Sequence, residues 1–291
     1  MKFWHISLSR RSLTIAAVLV ATVSLGIGAH AALNKRALDA AKAIAFEQGE
    51  AASKTSRIAL VIGNGHYPDA SKPLAQPIND ARALTAALRS SGFDVDVVED
   101  ASKDDMRRAV ARLQSKVKPD SVVMLYFGGY GVQAGRESYM IPVDARIWKE
   151  ADVRRDGVSI ESVLEAISEK GARVRLAVVD ASRRNPYERR FRSYSHGLAP
   201  IVAPANALIL TSATPGKVAD DSRGPHSVLM TELLNHLGAK DNASGSSAES
   251  VFHKTRIAIS RASEGEQVPS VSSSLLEDVS FSTAATGKAG S

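Results

Sequence analysis

The sequence contains no cysteine among its 291 residues. This absence excludes disulfide bonds, thiolate metal sites and lipid attachment through a cysteine side chain. It also excludes every reaction that needs a thiol nucleophile, because no other side chain supplies one. This chain therefore cannot carry out catalysis that uses a cysteine nucleophile.

Other features are also missing. The chain has no internal repeat and no dense loop of carboxylates of the kind that binds calcium. Its formal net charge is +6, but residues 1–31 contribute three basic side chains and no acidic one. The remaining positive excess is too small to favour nucleic acid as a partner. We therefore expect no metal, no cofactor and no nucleic acid.

The first 31 residues are predicted to be an export signal. Basic residues in the first eleven positions precede an uncharged run at residues 12–29, and Ala-His-Ala at 29–31 matches a small-x-small cleavage site. This order is typical of a bacterial signal peptide and predicts a periplasmic protein. The alternative is an uncleaved inner-membrane anchor that leaves the rest of the chain facing the periplasm, although an apolar run of about 17 residues is at the short limit of a spanning helix.

The remainder of the chain divides into three parts. Residues 32–56 are rich in alanine and mixed in charge, which predicts a spacer. Residues 57–281 carry the alternating apolar patterns of a folded domain, and the overall content of 44% hydrophobic residues is ordinary for a globular protein. Residues 282–291 are small and polar, so we expect a flexible tail.

Strand and helix patterns alternate along the domain. Apolar or alternating segments predict strands at 57–63, 93–99, 121–127, 174–179 and 207–211, with a shorter extended piece at 139–143. Helical spacing predicts helices at 77–91, after a cap at Ser102, and at 158–169, 227–237 and 249–262. Strands that are buried on both faces need helices on both sides. The order therefore predicts a three-layer α/β domain whose mainly parallel central sheet has about six strands.

Unusual residues follow three of these strands. Ligand sites in open α/β sheets form at the carboxyl ends of the strands, so these segments are candidates for a site. Each also has a simpler interpretation, because glycines often only turn the chain and Asp or Ser often caps a helix. The segments are Asn64-Gly65-His66-Tyr67, Gly128-Gly129-Tyr130-Gly131 and Asp180-Ala181-Ser182-Arg183-Arg184-Asn185-Pro186.

Taken in order, the motifs resemble those of bacterial caspase-like proteins, which are related to metacaspases, orthocaspases and caspases. The resemblance extends from residue 57 to about residue 281 and implies the three-layer caspase-like fold. Besides the strand-end segments it includes Pro-Ile-Asn-Asp-Ala at 77–81, Ile-Pro-Val-Asp-Ala at 141–145, Thr-Ser-Ala-Thr-Pro-Gly at 211–216 and Gln-Val-Pro at 267–269.

The resemblance implies that both catalytic positions are altered. In the family, the His of a G-H-G turn is the general base and the Cys of D-A-C is the nucleophile; this chain has Tyr130 and Ser182 there. A phenol with a pKa of about 10 stays protonated at neutral pH and cannot replace imidazole as a base. A serine hydroxyl attacks only when a base removes its proton. We expect an inactive pair whose two hydroxyls can hydrogen-bond across the cleft.

Other parts of the site are implied to persist. The backbone amides of Gly131 and Ser182 match the oxyanion pocket of the family. Asp80 and Asp180 match the acidic residues that in metacaspases receive a basic P1 side chain. The alternative for Asp80 is a first-turn helix charge that the helix dipole favours.

The leading functional hypothesis is a pseudo-protease. It would bind a peptide or protein partner, or regulate an active caspase-like relative, in the cell envelope. A second hypothesis is a serine hydrolase in which His66, His196 or His226 serves as a relocated base for Ser182. A third is an electrostatic interaction module that works through the arginine-rich loop at residues 183–192.

Overall fold

The three-dimensional structure of the chain is a computed structural model. It describes residues 55–68, 73–184, 186–187, 197–219, 224–238 and 246–281. The predicted export signal, nearly all of the spacer and the tail lie outside these residues. Within them, no helix is both long enough and apolar enough to cross a membrane.

The described elements alternate as the sequence patterns predict. The strands are β1 (Arg57–Gly63), β2 (Asp94–Glu99), β3 (Val122–Gly128), β4 (Gly131–Ala134), β5 (Glu137–Met140), β6 (Val158–Ser159), β7 (Val174–Asp180), β8 (Ala207–Thr211) and β9 (Ser270–Ser273). The helices are α1 (Pro77–Ser90), α2 (Lys103–Lys116), α3 (Glu150–Asp156), α4 (Ile160–Glu169), α5 (Val228–Gly238) and α6 (Ala248–Ala262).

The central sheet has six strands in the order β2-β1-β3-β7-β8-β9. Neighbouring strands from β2 to β8 are parallel, and β9 is antiparallel to β8 at one edge. The predicted α/β class with a mainly parallel sheet of about six strands is confirmed.

Helices cover both faces of this sheet. On one face, Val61, Met124 and Val178 pack into a core with α1, α5 and α6. On the other face, Leu60 and Leu125 pack with α2 and α4. Successive side chains of a strand point to opposite faces, so one apolar strand contributes side chains to both cores.

Local signals set the helix starts. The Ser102 side chain accepts a hydrogen bond from the Asp105 amide, and the Asp105 carboxylate accepts one from the Ser102 amide, which completes a capping box at α2. Pro77 occupies the first turn of α1, where its missing N–H costs nothing.

Three short elements differ from the sequence-based expectation. Of the extended piece expected at 139–143, only Tyr139 and Met140 lie in a strand, β5, which forms a separate antiparallel sheet with β4 and β6. The sixth strand of the central sheet is instead β9. Helix α3 lies in a charged segment for which the sequence patterns predict no helix.

Candidate functional site

The three strand-end segments meet at one edge of the sheet. In the ladder β1-β3-β7, Gly63 is aligned with Gly128, and Gly128 with Asp180. The residues that follow these positions therefore lie next to one another. The Gly129 amide donates to the Asp180 carbonyl at 3.2 Å, and the Asn64 amide donates to the Gly128 carbonyl at 2.8 Å.

Tyr130, which the sequence motifs match to the catalytic histidine of caspase-like proteins, packs against another aromatic ring. Its ring meets that of Tyr67 edge-on, with ring centroids 4.8 Å apart. The Tyr67 hydroxyl accepts a hydrogen bond from the Tyr130 amide at 3.0 Å and donates one to the Ile141 carbonyl at 2.9 Å. Burial raises the pKa of Tyr67 well above its ordinary value. Tyr130 is thus buried at a turn held by a protonated phenol.

Asn64 is also buried at this edge and connects it to two other segments through its side chain. Its side-chain amide donates to the Ile141 carbonyl at 3.2 Å, and its side-chain oxygen accepts from the Ala101 amide at 2.8 Å. Both polar ends are satisfied, as burial requires. Asn64 therefore ties the end of β1 to two other segments rather than facing a ligand.

Ser182, which the sequence motifs match to the cysteine of caspase-like proteins, is completely buried. Among the described residues, no hydrogen-bonding group reaches its hydroxyl oxygen. The expected contact with Tyr130 is therefore not formed. The Ser182 amide donates to the Ser212 hydroxyl at 3.3 Å, and the Ser182 carbonyl accepts from the Ala219 amide at 2.6 Å. The backbone of Ser182 is fastened to the segment after β8 while its nucleophilic atom has no base.

The histidines proposed as a relocated base have other partners. His66 Nδ1 lies 2.6 Å from Asp100 Oδ2, and His226 Nδ1 lies 2.8 Å from Asp80 Oδ1. Neither ring is within hydrogen-bonding distance of the Ser182 hydroxyl. His196 lies outside the described residues.

The two amides matched to an oxyanion pocket already have acceptors. The Gly131 amide donates to the Ala181 carbonyl at 3.0 Å, while the Ser182 amide faces Ser212. Space is short as well, because a Cβ added to Gly131 would lie 2.6 Å from Leu198 Cδ2. A substrate oxyanion would have to displace both hydrogen bonds.

Asp80 is buried at the start of α1. One carboxylate oxygen faces His226 Nδ1, and the other accepts from the Ser227 amide at 3.2 Å. Burial and, next, the Asp180 carboxylate raise the pKa of Asp80 from 3.8 to about 6, against these hydrogen bonds. Asp80 also lies in the first turn of α1, where the helix dipole favours a negative charge, so both interpretations of this residue remain open.

Asp180 and Tyr126 form a buried polar layer behind Ser182. Asp180 is 1% exposed, and its Oδ1 lies 3.8 Å from the Arg183 guanidinium. Tyr126 is the one hydroxyl-bearing residue of β3, and a Cβ on Gly128 would touch its oxygen. Among the described residues, neither the Tyr126 hydroxyl nor Asp180 Oδ2 has a hydrogen-bond partner. Sequence reasoning missed Tyr126, although a tyrosine inside an otherwise apolar buried strand is a usable signal.

An open cleft lies beside Ser182 rather than over it. Its volume is about 510 Å³, and we call it the Lys217 cleft; its wall includes Arg184, Lys217, Val218, Val228, Glu266 and Gln267. The Gln267 side chain donates to the Ser212 carbonyl at 2.8 Å, which connects the cleft to the residue that holds Ser182. The cleft has two cationic side chains and one carboxylate.

The two described arginines of the predicted basic loop differ in burial. Arg183 is buried and turned inward, whereas Arg184 is exposed. Arg183 therefore cannot belong to an exposed basic surface, and this corrects the interaction-module hypothesis at that residue. The other arginines of the loop lie outside the described residues. No group of three or more His, Asp or Glu side chains within the described ranges is arranged to hold a metal ion.

A six-stranded α/β sheet with a strand-end site built from Tyr130 and Ser182 defines a caspase-like protein without cysteine. The family model for the caspase domain matches residues 56–280, and the chain belongs to this family. Among known relatives, mucosa-associated lymphoid tissue lymphoma translocation protein 1 of Homo sapiens is 29% identical over 133 residues, and its Mus musculus homolog is equally similar. The match covers 45% of this chain and 16% of the length of each relative.

Proposed function

We propose that this protein is a noncatalytic caspase-domain protein that binds a peptide or protein partner in the cell envelope. The observation that carries the proposal is the Ser182 hydroxyl, which is buried and has no base among the described residues. A serine without a base is not activated for attack. The export signal expected at residues 1–31 supports the location.

The Lys217 cleft is the proposed binding surface. It adjoins the segment that holds Ser182, and its size suits a peptide side chain with its flanking backbone. Val218 and Val228 offer apolar contacts, and Arg184 and Lys217 offer cations. We therefore propose a partner segment that places an acidic side chain in this cleft. An active caspase-like relative that presents such a segment would be a partner of this kind.

A serine-hydrolase function has less support. It requires a histidine at hydrogen-bonding distance from Ser182, and His66 and His226 are held by Asp100 and Asp80 instead. The structure favours no second function by a specific contact.

We expect no Ser182-dependent peptide cleavage. In a well-studied serine protease, loss of a catalytic group lowers the rate by roughly 10⁴ to 10⁶, so wild type and Ser182→Ala should both fall at the uncatalysed background. The measurement is hydrolysis of peptide libraries with Arg or Lys at P1, with trypsin as the positive control for the libraries. Circular dichroism of both proteins controls for folding. Turnover in wild type that Ser182→Ala abolishes would show that the protein is an enzyme.

We expect charge reversal in the Lys217 cleft to weaken partner binding. Fluorescein-labelled peptide pools with Asp or Glu at one fixed position should bind wild type better than pools with Lys or Arg there. Lys217→Glu should weaken binding of the acidic pool roughly tenfold, because the mutation replaces an attractive charge with a repulsive one. Lys118→Glu, at an exposed site outside the cleft, is the matched control. Equal binding by both variants, or preference for the basic pool, contradicts the assignment of the cleft.

A further inference from the structure

Arg183 is a cation placed inside the acidic part of the site. Two residues separate it from Asp180, and the turn between them is closed by a hydrogen bond from the Arg183 amide to the Ala181 carbonyl at 2.9 Å. Its guanidinium lies 3.8 Å from Asp180 Oδ1, within ion-pair distance. Arg183 is 5% exposed, so this ion pair is formed away from water.

One buried carboxylate faces the Arg183 guanidinium, at ion-pair distance rather than hydrogen-bond distance. Asp180 faces it directly, and Asp80 lies close enough to Asp180 for the two carboxylates to repel each other. Burial raises the pKa of Tyr126 well above its ordinary value, the carboxylates of Asp80 and Asp180 raise it further, and Arg183 opposes them. Arg183 thus offsets the charge of Asp180, while His226 is the partner of Asp80 at the surface end.

Solvent exposure excludes an external ligand from the same place. Asp80 and Tyr126 are 0% exposed and Asp180 is 1% exposed. A basic side chain from a partner would have to enter a closed layer and replace a cation that the chain itself supplies. A buried carboxylate that loses its cation is strongly destabilising, so this exchange is unfavourable.

We propose that Asp180, Asp80 and Tyr126 form a buried guanidinium site whose resident ligand is Arg183 of the same chain. The site is closed to basic side chains of other molecules as long as Arg183 occupies it. This inference is independent of whether the Lys217 cleft binds a peptide, because it concerns a different set of residues and a different measurement.

The test removes the Arg183 side chain and offers benzamidine as a soluble replacement. Arg183→Ala should lower the melting temperature by roughly 10 °C, because it leaves buried carboxylates without their cation. Arg184→Ala, its exposed neighbour, should change the melting temperature by less than about 2 °C. Benzamidine at about 10 mM should raise the melting temperature of Arg183→Ala by about 3 °C if it fills the vacant site at tenfold excess over its dissociation constant. The same concentration of sodium chloride should have no such effect, and neither should benzamidine on wild type.

A double-mutant cycle keeps the test decisive if Arg183→Ala folds poorly. Arg183→Ala combined with Asp180→Asn removes both charges, so the double variant should be more stable than the sum of the two single losses predicts. The proposal is overturned if the losses simply add, if Arg183→Ala is no less stable than Arg184→Ala, or if benzamidine stabilises wild type as much as the variant. Peptide binding and peptide cleavage enter none of these readouts, so failure here is distinct from failure of the proposed function.

Discussion

Replacement of Gly63 by alanine should lower the free energy of unfolding by about 3 kcal/mol, the upper end of the usual cost of overpacking. A Cβ at this position would lie 2.5 Å from the Pro77 carbonyl oxygen and 2.8 Å from the Ala81 Cβ. Both neighbours belong to α1, and the oxygen belongs to its backbone, so no side-chain rotation relieves the contact. Gly63 cannot retreat either, because β1 is hydrogen-bonded between β2 and β3.

The backbone conformation of Gly63 is not the reason for glycine here. Its φ is not in the left-handed region, so the requirement is the close approach of α1 to β1. Urea denaturation of wild type and Gly63→Ala measures the loss. Gly224→Ala is the matched control, since the nearest atom to its added Cβ is 3.7 Å away, and it should stay within about 0.5 kcal/mol of wild type. A loss below about 1 kcal/mol at Gly63 would mean that α1 can move away from the site edge.

Replacement of Asp80 by asparagine should change how stability depends on pH. The pKa of Asp80 is raised to about 6 in the folded protein by burial and by Asp180, from an ordinary value of 3.8. A raised carboxyl pKa means that the folded state holds the proton more tightly than the unfolded state. Proton binding by Asp80 therefore stabilises the folded state fully below pH 4, and this stabilisation is lost as the pH rises through the folded-state pKa of about 6. At pH 7 the ionised carboxylate therefore lowers the free energy of unfolding by about 3 kcal/mol.

Asparagine cannot ionise, so the variant avoids this cost. The free energy of unfolding of Asp80→Asn, relative to wild type, should increase by about 3 kcal/mol between pH 4 and pH 7. The groups that face Asp80 are Asp180, His226, Ser227 and Tyr126, and all remain in the variant. Urea denaturation at each pH gives the difference directly.

The control for this experiment is a carboxylate with the opposite shift. Hydrogen bonds from Ser102, with Arg108 beside it, lower the pKa of Asp105. Because this pKa lies below 3.8, Asp105→Asn should lose stability relative to wild type as the pH rises to 4 from below, and the difference should stay nearly constant between pH 4 and pH 7, unlike that of Asp80→Asn. A flat pH profile for the Asp80→Asn difference would show that folding does not raise the pKa of Asp80.

Apolar content determined the strands of the central sheet. The segments that form β1, β3, β7 and β8 are mainly apolar, although Arg175 interrupts β7, and their observed bounds lie within one residue of those expected. Burial on both faces leaves little choice of conformation for such runs, so the local pattern suffices. The cap of α2 was equally local, because Ser102 and Asp105 are three residues apart.

Short polar elements were decided by their partners. The strand β9 has the sequence Ser-Val-Ser-Ser and is defined by its pairing with β8, about sixty residues earlier in the chain. Strand propensity depends on cross-strand neighbours, which a local pattern does not contain. The same holds for β4 and β6, which exist through β5. Helix α3 was hidden in a charged segment because its apolar content is low.

For the site, the sequence by itself determined the chemistry that is excluded and the edge where the motifs meet. No cysteine exists to act as nucleophile, and parallel strands bring residues 64, 130 and 182 to one edge of the sheet. The tertiary structure alone decided that Ser182 is buried without a base, that Asp80 is held by His226 from 146 residues away, and that Arg183 points inward to Asp180. Burial and pairing are properties of the assembled layers, because a side chain loses its water only when distant segments close over it.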